Sequence, residues 1–188
     1  MKVIGLTGTM GSGKELLKDF LMRKYSCWYV SLSSIIRSEL EKKKKGFNRG
    51  TLQDLGNQMR KKYGNHILAK LATDFLQRDK QVIIIDGIRN LGEVDYLRKN
   101  FKNNFILIAT DAPREIRFER MSKRGRPDDP KTLEEFSQLD DRDQGKDEPE
   151  YGQHVRECME KADLTIINDG TVEQFEQKLD EGLCQFLQ

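Results

Sequence analysis

The stretch "IGLTGTMGSGKELL", residues 4–17, joins an apolar run, a glycine-rich turn and the start of a helical pattern. Its glycines and lysine have the spacing G-x-x-G-x-G-K. Glycines let the backbone wrap closely around a phosphate, so that several N–H groups point inward, and the helix start adds its positive dipole end. This stretch therefore predicts a phosphate-binding loop, with Lys14 on the outer phosphates. The expected nucleotide-binding residues are Gly8, Met10, Gly11, Ser12, Gly13, Lys14, Glu15 and Leu16.

Glu15 occupies the position where such loops carry Ser or Thr, whose hydroxyl holds Mg²⁺. Three interpretations are open. The carboxylate can bind Mg²⁺ directly, or it can face solvent in the first helical turn, where a negative charge suits the helix dipole. It can also repel the phosphates and disable the site. We favour the solvent-facing interpretation.

Five short apolar runs predict buried strands at residues 2–7, 27–31, 82–86, 105–110 and 164–168. They are rich in β-branched or aromatic residues and lack polar alternation, as expected of strands covered on both faces. Helical patterns separate them. The alternation predicts an α/β fold, with a five-stranded parallel sheet and helices on both faces.

Two segments are too long to be simple connections between strands. Residues 33–78 contain helical patterns on either side of the break "EKKKKGFNRG", and residues 120–152 are rich in proline and in charge of both signs. Long insertions in a compact α/β domain are usually functional. We expect one domain over residues 1–188, with an acceptor-binding insertion at 33–78 and a lid at 120–152.

Charge and composition exclude several classes of protein. The 188 residues carry a net charge of +2, which does not favour a bulk grip on nucleic acid. The three cysteines are far apart, which fits a reduced protein, and the N-terminus lacks a signal-peptide pattern. No run is long and apolar enough to span a membrane. A cytoplasmic protein with small-molecule partners is expected, without nucleic acid or membrane.

Asp86, Gly87 and Arg89 follow the third predicted strand in "DGIRNLGEV". Ligands of open α/β sheets bind at the carboxyl edge of the strands. A carboxylate at this edge can hold Mg²⁺, and an arginine fork can grip a phosphate. The sequence therefore predicts Asp86 as the metal ligand and Arg89 as a phosphate ligand, with Gly87 leaving room between them.

These motifs, with "SLSSIIR", "FERMSKRGRPDD" and "ADLTIINDGTVEQF", make the chain resemble the P-loop nucleoside-monophosphate kinase superfamily. Within it, the chain is most similar to a mainly archaeal group described as adenylate-kinase-related or dephospho-CoA-kinase-like. The resemblance covers nearly the whole chain. It implies a three-layer P-loop NTPase fold and a phosphotransferase that uses ATP and Mg²⁺. The implied reaction moves the γ-phosphate to a nucleoside or deoxynucleoside monophosphate.

The resemblance also implies roles for individual residues. The acceptor phosphate would meet Arg37 and Arg89, and Ser33 or Ser34 would cap the helix that carries Arg37. In adenylate kinases a Gln four residues past the arginine reads the acceptor base; here that position holds Glu93, which as a carboxylate only accepts hydrogen bonds. Arginines of the lid would close over the phosphates, and the loop after the last strand would pack near the donor adenine. The residues implied are Ser33, Arg37, Gly87, Arg89 and Glu93 for the acceptor, Arg120, Arg124 and Arg142 for the lid, and Asp169 and Gly170 for the donor.

Two other functions remain open. A dephospho-CoA kinase would share "IGLTG" and "ADLTIINDGT", but the segment after the second strand offers Ser31, Ser33 and Ser34 and no carboxylate base. A nucleotide-binding regulatory ATPase with little kinase activity would explain Glu15. Either a monomer or a homodimer is compatible with the sequence.

Overall fold

The structure is a computed structural model that describes residues 1–42, 48–77, 79–127 and 129–186. Part of the predicted break "EKKKKGFNRG", at residues 43–47, lies outside the described residues. No helix in the described part of the chain is both long enough and apolar enough to cross a membrane.

Five parallel strands form one sheet in the order β2-β3-β1-β4-β5. Their bounds are β1 Lys2–Gly8, β2 Cys27–Ser31, β3 Val82–Asp86, β4 Phe105–Asp111 and β5 Leu164–Ile167. Each predicted strand is therefore confirmed, with ends that differ by at most one residue. Because β1 lies between β3 and β4, its carboxyl end is the point from which connections leave in both directions, where ligands of such sheets bind.

Helices separate the strands along the described chain. Their bounds are α1 Lys14–Lys24, α2 Leu32–Lys42, α3 Arg49–Tyr63, α4 Ile67–Thr73, α5 Leu91–Phe101, α6 Arg114–Arg124, α7 Leu133–Asp143, α8 Val155–Glu160 and α9 Val172–Leu183. The prediction that Ser33 or Ser34 caps a helix is wrong, since α2 already begins at Leu32. Thr171 caps α9: its hydroxyl accepts from the backbone N–H of Gln174.

The central strands β1, β3 and β4 are covered on both faces, which explains why they lack polar alternation. Successive residues of β1 point to opposite sides: Val3 joins a core with α2, α3, α4, α5 and α8, whereas Ile4 joins a core with α1 and α9. A third, small cluster places Met10 of the glycine-rich loop against Met121 and Phe136. The predicted lid therefore packs directly against the loop.

Candidate functional site

The glycine-rich loop has a backbone that side chains would obstruct. Gly8 has φ +134°, and a Cβ there would lie 2.1 Å from the carbonyl oxygen of Thr110. Gly13 has φ +106°, and a Cβ would lie 2.3 Å from Nδ2 of Asn168. Both conformations favour glycine. The loop thus turns tightly between β1 and α1 while pressed against neighbouring backbone.

Hydrogen bonds within and behind the loop fix its shape. The hydroxyl of Ser12 is buried, 2.8 Å from the carbonyl oxygen of Thr9 and 2.7 Å from Oγ1 of Thr110. Asn168 supports the loop from the end of β5, since its amide donates to the carbonyl oxygen of Ser12 at 3.0 Å. Side chains below the loop therefore hold its backbone in place.

Lys14 folds back over the loop. Its ammonium donates to the carbonyl oxygens of Gly8 at 2.6 Å and Thr9 at 2.8 Å. Burial lowers the pKa of Lys14 to about 8, and the negative charge of Asp86 opposes that shift. A buried cation with a lowered pKa gains from an incoming anion. The electrostatics of Lys14 are thus suited to phosphate.

Glu15 points to the lid. Its Oε2 lies 2.6 Å from Nη2 of Arg126, and both side chains are about half exposed. The carboxylate charge is paired with Arg126 in this arrangement. The direction of the side chain agrees with the solvent-facing interpretation.

Asp86 lies at the carboxyl end of β3, in register with Leu6 of β1. Its Oδ2 accepts a hydrogen bond of 3.0 Å from Tyr29, whereas its Oδ1 is buried without a hydrogen-bond partner. Burial and the negative charge of Asp86 raise the pKa of Tyr29, which keeps its phenol a donor. Since buried polar atoms are normally paired and carboxylate oxygens suit Mg²⁺, the free oxygen of Asp86 fits a magnesium ligand.

Two cavities open at this edge of the sheet. The larger cavity has a volume of about 640 Å³ and is lined by the glycine-rich loop, Asp86 and Tyr29. The smaller cavity has a volume of about 50 Å³ and extends between α2 and α3. Five residues line both spaces and so lie where the two meet: Met10, Ser33, Arg37, Arg49 and Arg89.

The predicted acceptor arginines are therefore brought together. Arg37 and Arg89 both line the junction, and Nε of Arg89 lies 3.0 Å from Oδ1 of the buried Asp143. Arg49, which is not among the predicted site residues, stands beside them. It begins α3 directly after a basic, low-complexity stretch, and no local pattern distinguished it from the neighbouring charges.

Three lid arginines line the larger cavity: Arg120, Arg124 and Arg126. Arg120 donates to the carbonyl oxygens of Asn168 at 2.9 Å and Gly170 at 3.3 Å. Arg124 and Arg49 both donate to Asp129, at 2.6 and 2.8 Å. Burial raises the pKa of Asp129, but these hydrogen bonds outweigh it and bring the pKa to about 2. Asp129 thus links the predicted lid to the predicted acceptor insertion.

Arg142 lies elsewhere. It lines neither of these cavities, because α7 directs it toward Asp54 at 2.8 Å and Glu148 at 2.7 Å. Two carboxylates hold it between α3 and the segment after α7. The expectation that Arg142 closes over the phosphates does not agree with this placement.

Glu93 also lies outside both cavities. Its carboxylate is fully buried and accepts from the backbone N–H of Arg89 at 2.8 Å and from Nε of Arg60 at 2.9 Å. It caps α5 and pairs with a buried cation. The expectation that Glu93 reads the acceptor base is therefore replaced by a structural role, in which it holds the turn that carries Arg89.

The remaining predicted positions lie around these spaces. Of the predicted residues, Leu16 lines the larger cavity, but Asp169 and Gly170 do not. Val172, which was not predicted, also lines it. Asp169 is exposed and pairs with Lys178 at 2.7 Å. Gly87 has φ +85°, and a Cβ there would be 3.7 Å from Nη1 of Arg89. The contribution of Gly87 to the turn is therefore its backbone conformation.

Comparison with known proteins gives the family. Residues 4–151 match the family model described as AAA domain. The chain is 34% identical over 188 residues to the UPF0200 protein of Sulfurisphaera tokodaii, a match that covers 100% of this chain and 98% of the relative. The chain belongs to the UPF0200 family of AAA-domain proteins. The UPF0200/UPF0201 protein of Archaeoglobus fulgidus is 31% identical, and the match covers 98% of this chain but 56% of that protein.

Solved structures give the fold. A shikimate kinase from Bacteroides thetaiotaomicron matches with a TM-score of 0.55 and 17% identity, covering 96% of this chain and 97% of that one. A gluconokinase from Sinorhizobium meliloti 1021 matches with a TM-score of 0.57 and 10% identity, covering 99% and 93%. The predicted P-loop kinase fold, with its five-stranded parallel sheet, and the resemblance to a mainly archaeal group are thereby confirmed.

Proposed function

We propose that this protein transfers the γ-phosphoryl group of ATP to a nucleoside or deoxynucleoside monophosphate. The observation that carries the proposal is the meeting of two cavities at three arginines. The larger cavity holds Lys14 and Asp86, and Arg37, Arg49 and Arg89 line both spaces. Such a junction would hold an anionic acceptor next to the outer phosphate of a donor on the loop.

The larger cavity is the proposed donor site. The loop amides and Lys14 would hold the β- and γ-phosphates, and Leu16 and Val172 offer apolar surface to the nucleoside. Asp86 would hold Mg²⁺, which supplies charge neutralisation to the donor phosphates when bound.

The transfer needs little covalent help from the protein. An oxygen of the acceptor phosphate forms the new bond to the γ-phosphorus as the bond to the ADP oxygen breaks, and ADP leaves with that electron pair. Arg37, Arg49 and Arg89 would orient the acceptor anion, while Arg120 and Arg124 add positive charge around the moving group. Because an acceptor phosphate oxygen is already a nucleophile, the residues of the site need to orient it rather than deprotonate it.

The predicted insertions acquire roles in this scheme. Residues 33–78 contribute Arg37 and Arg49 to the acceptor side, and residues 120–152 contribute Arg120 and Arg124 to the donor side. Asp129 accepts hydrogen bonds from Arg49 and Arg124 and so links the two segments. We propose that these segments close on the substrates and exclude water. A cytoplasmic location and a monomeric or dimeric state remain part of the proposal.

The experiment that tests the function is ADP release with ATP and Mg²⁺ over a panel of ribo- and deoxyribonucleoside monophosphates plus dephospho-CoA. An acceptor-free reaction is the control. Stimulation by a monophosphate supports the proposal. Stimulation by dephospho-CoA alone, or equal release without acceptor, contradicts it and indicates a dephospho-CoA kinase or an ATPase.

A further inference from the structure

The smaller cavity contains two buried amide oxygens without a hydrogen-bond partner. They are Oε1 of Gln53, on α3, and Oε1 of Gln153, before α8. The two residues are 6% and 3% exposed, and both line the cavity. Buried polar side-chain atoms are normally paired, and an unpaired one costs free energy. Two such oxygens on one cavity indicate a ligand that donates hydrogen bonds.

One long hydrogen bond favours a single orientation of the Gln53 amide. Nε2 of Gln53 donates to the carbonyl oxygen of Leu139 at 3.4 Å. Turning the amide over would place its oxygen against that carbonyl oxygen and lose the bond. Gln53 therefore presents an acceptor to the cavity, and a ligand carbonyl at that point would meet another oxygen.

The two ends of the smaller cavity differ in charge. Arg37, Arg49 and Arg89 lie at its junction with the larger cavity, whereas Gln53 and Gln153 line the smaller cavity alone. Arg60 also lines it, but its guanidinium pairs with the buried carboxylate of Glu93 at 2.8 Å. A matching ligand carries its anion at the junction and its hydrogen-bond donors at the far end.

The size of the smaller cavity favours a small ring over a large one. Its volume is about 50 Å³, whereas a cavity that holds one benzene ring is about 150 Å³, so a base enters fully only if α2 and α3 move apart. A single six-membered ring requires less of this opening than a fused purine. The phosphate and sugar of a monophosphate would extend toward the larger cavity.

We propose that the acceptor is cytidine or deoxycytidine monophosphate, read by Gln53 and Gln153. The inference rests on the proposed function and names its substrate. The 4-amino group of cytosine has two hydrogens, one for each glutamine oxygen. Uracil and thymine present a carbonyl oxygen at the same ring position, which would leave Gln53 unpaired. Sites built to hydrogen-bond a donor discriminate strongly against analogues without it.

Binding and transfer are tested separately. Calorimetric titration of the full chain with CMP, dCMP, UMP and AMP, in the presence of Mg²⁺ and a non-hydrolysable ATP analogue, measures recognition without turnover. We expect CMP or dCMP to bind at least about 10-fold more tightly than UMP. Equal affinity for CMP and UMP, tighter binding of AMP, or no binding of any monophosphate overturns the inference.

Two substitutions test the residues. Gln153→Met and Gln53→Met remove the amide at similar volume, and Gln177→Met, on the exposed face of α9, is the matched control. We expect the CMP-to-UMP affinity ratio to fall toward one in both cavity variants, with affinity for the ATP analogue unchanged, and to stay at the wild-type value in the control. A ratio that survives in a folded Gln153→Met or Gln53→Met protein overturns the assignment.

The two proposals fail in different ways. Selective binding of CMP without phosphoryl transfer supports recognition of the base by Gln53 and Gln153 and contradicts the proposed reaction. Transfer to UMP or AMP at the rate of CMP supports the reaction and overturns the proposed acceptor.

Discussion

Oε2 of Glu15 lies 2.6 Å from Nη2 of Arg126, which joins the first turn of α1 to the segment after α6. The pair stands at the edge of the cavity that contains Lys14. A carboxylate in the loop would repel the phosphates of a nucleotide if it were left unpaired. Arg126 therefore compensates the residue that replaces the usual hydroxyl.

Removing this partner should weaken donor binding. In Arg126→Ala the unpaired Glu15 is expected to raise the Kd for ATP about 2- to 5-fold, the range of exposed ion pairs. The double variant Glu15→Gln/Arg126→Ala should recover most of the loss. Calorimetry measures both constants, and Lys123→Ala, which removes an exposed pair with Glu119 on the same helix, is the control. Equal Kd values in Arg126→Ala and wild type would contradict this compensation.

Lys14 should make ATP binding depend on pH. With its pKa lowered to about 8 by burial, Lys14 loses its proton as the pH rises above that value in the free protein. Bound phosphates favour the charged form and raise the pKa. ATP binding above pH 8 should therefore take up a proton, and affinity should fall with rising pH. Titrations in two buffers of different ionisation enthalpy measure the uptake. Lys14→Met should show none; identical uptake in that variant would refute the assignment.

Asp129 should stabilise the protein through its two arginines. Its pKa is lowered from the ordinary 3.8 to about 2, so the contribution is present above pH 3.8 and is lost as the pH falls toward 2. Asp129→Asn is expected to reduce the free energy of unfolding by about 1–3 kcal/mol at neutral pH. Urea denaturation at neutral pH and below pH 3 measures the difference between variant and wild type. A difference that grows in acid would be inconsistent with the lowered pKa.

Arg89 should affect the acceptor more than the donor. Arg89→Lys keeps a cation near Asp143 but loses the planar fork that binds a phosphate with two hydrogen bonds. We expect the KM for the monophosphate to rise about 10-fold, with little change in the Kd for ATP. Steady-state kinetics and calorimetry separate these effects. Arg98→Lys, whose guanidinium pairs with Asp163 away from both cavities, should behave like wild type. A matching rise in the Kd for ATP would argue against an acceptor role.

Local patterns were sufficient to predict the sheet and the loop. Apolar runs bounded by turns reveal strands such as β3, and the glycine spacing reveals the loop, because each depends on neighbours along the chain. The same reasoning located Asp86 and Arg89 at the carboxyl edge. These positions follow from strand ends, which the sequence indicates directly.

The partners of individual charged residues were not predictable in this way. Arg142 and Arg124 read alike in the sequence, but Asp54 and Glu148 hold the first away from the cavities. Glu93 was expected to contact the acceptor base, but it pairs with Arg60, 33 positions earlier in the chain. Arg49 was not predicted because its role depends on the position in which α3 holds it, at the junction of the two cavities. Long-range pairing, rather than local pattern, decides which charges reach the site.

The most direct test of the central claim follows the fate of the labelled γ-phosphate of ATP in the presence of Mg²⁺ and CMP, dCMP or another monophosphate. We expect label in the nucleoside diphosphate formed from the acceptor, and a loss of about 10²- to 10³-fold in Lys14→Ala. Label found only in inorganic phosphate, or undiminished transfer in Lys14→Ala, would contradict the assignment of this site as a nucleoside-monophosphate kinase.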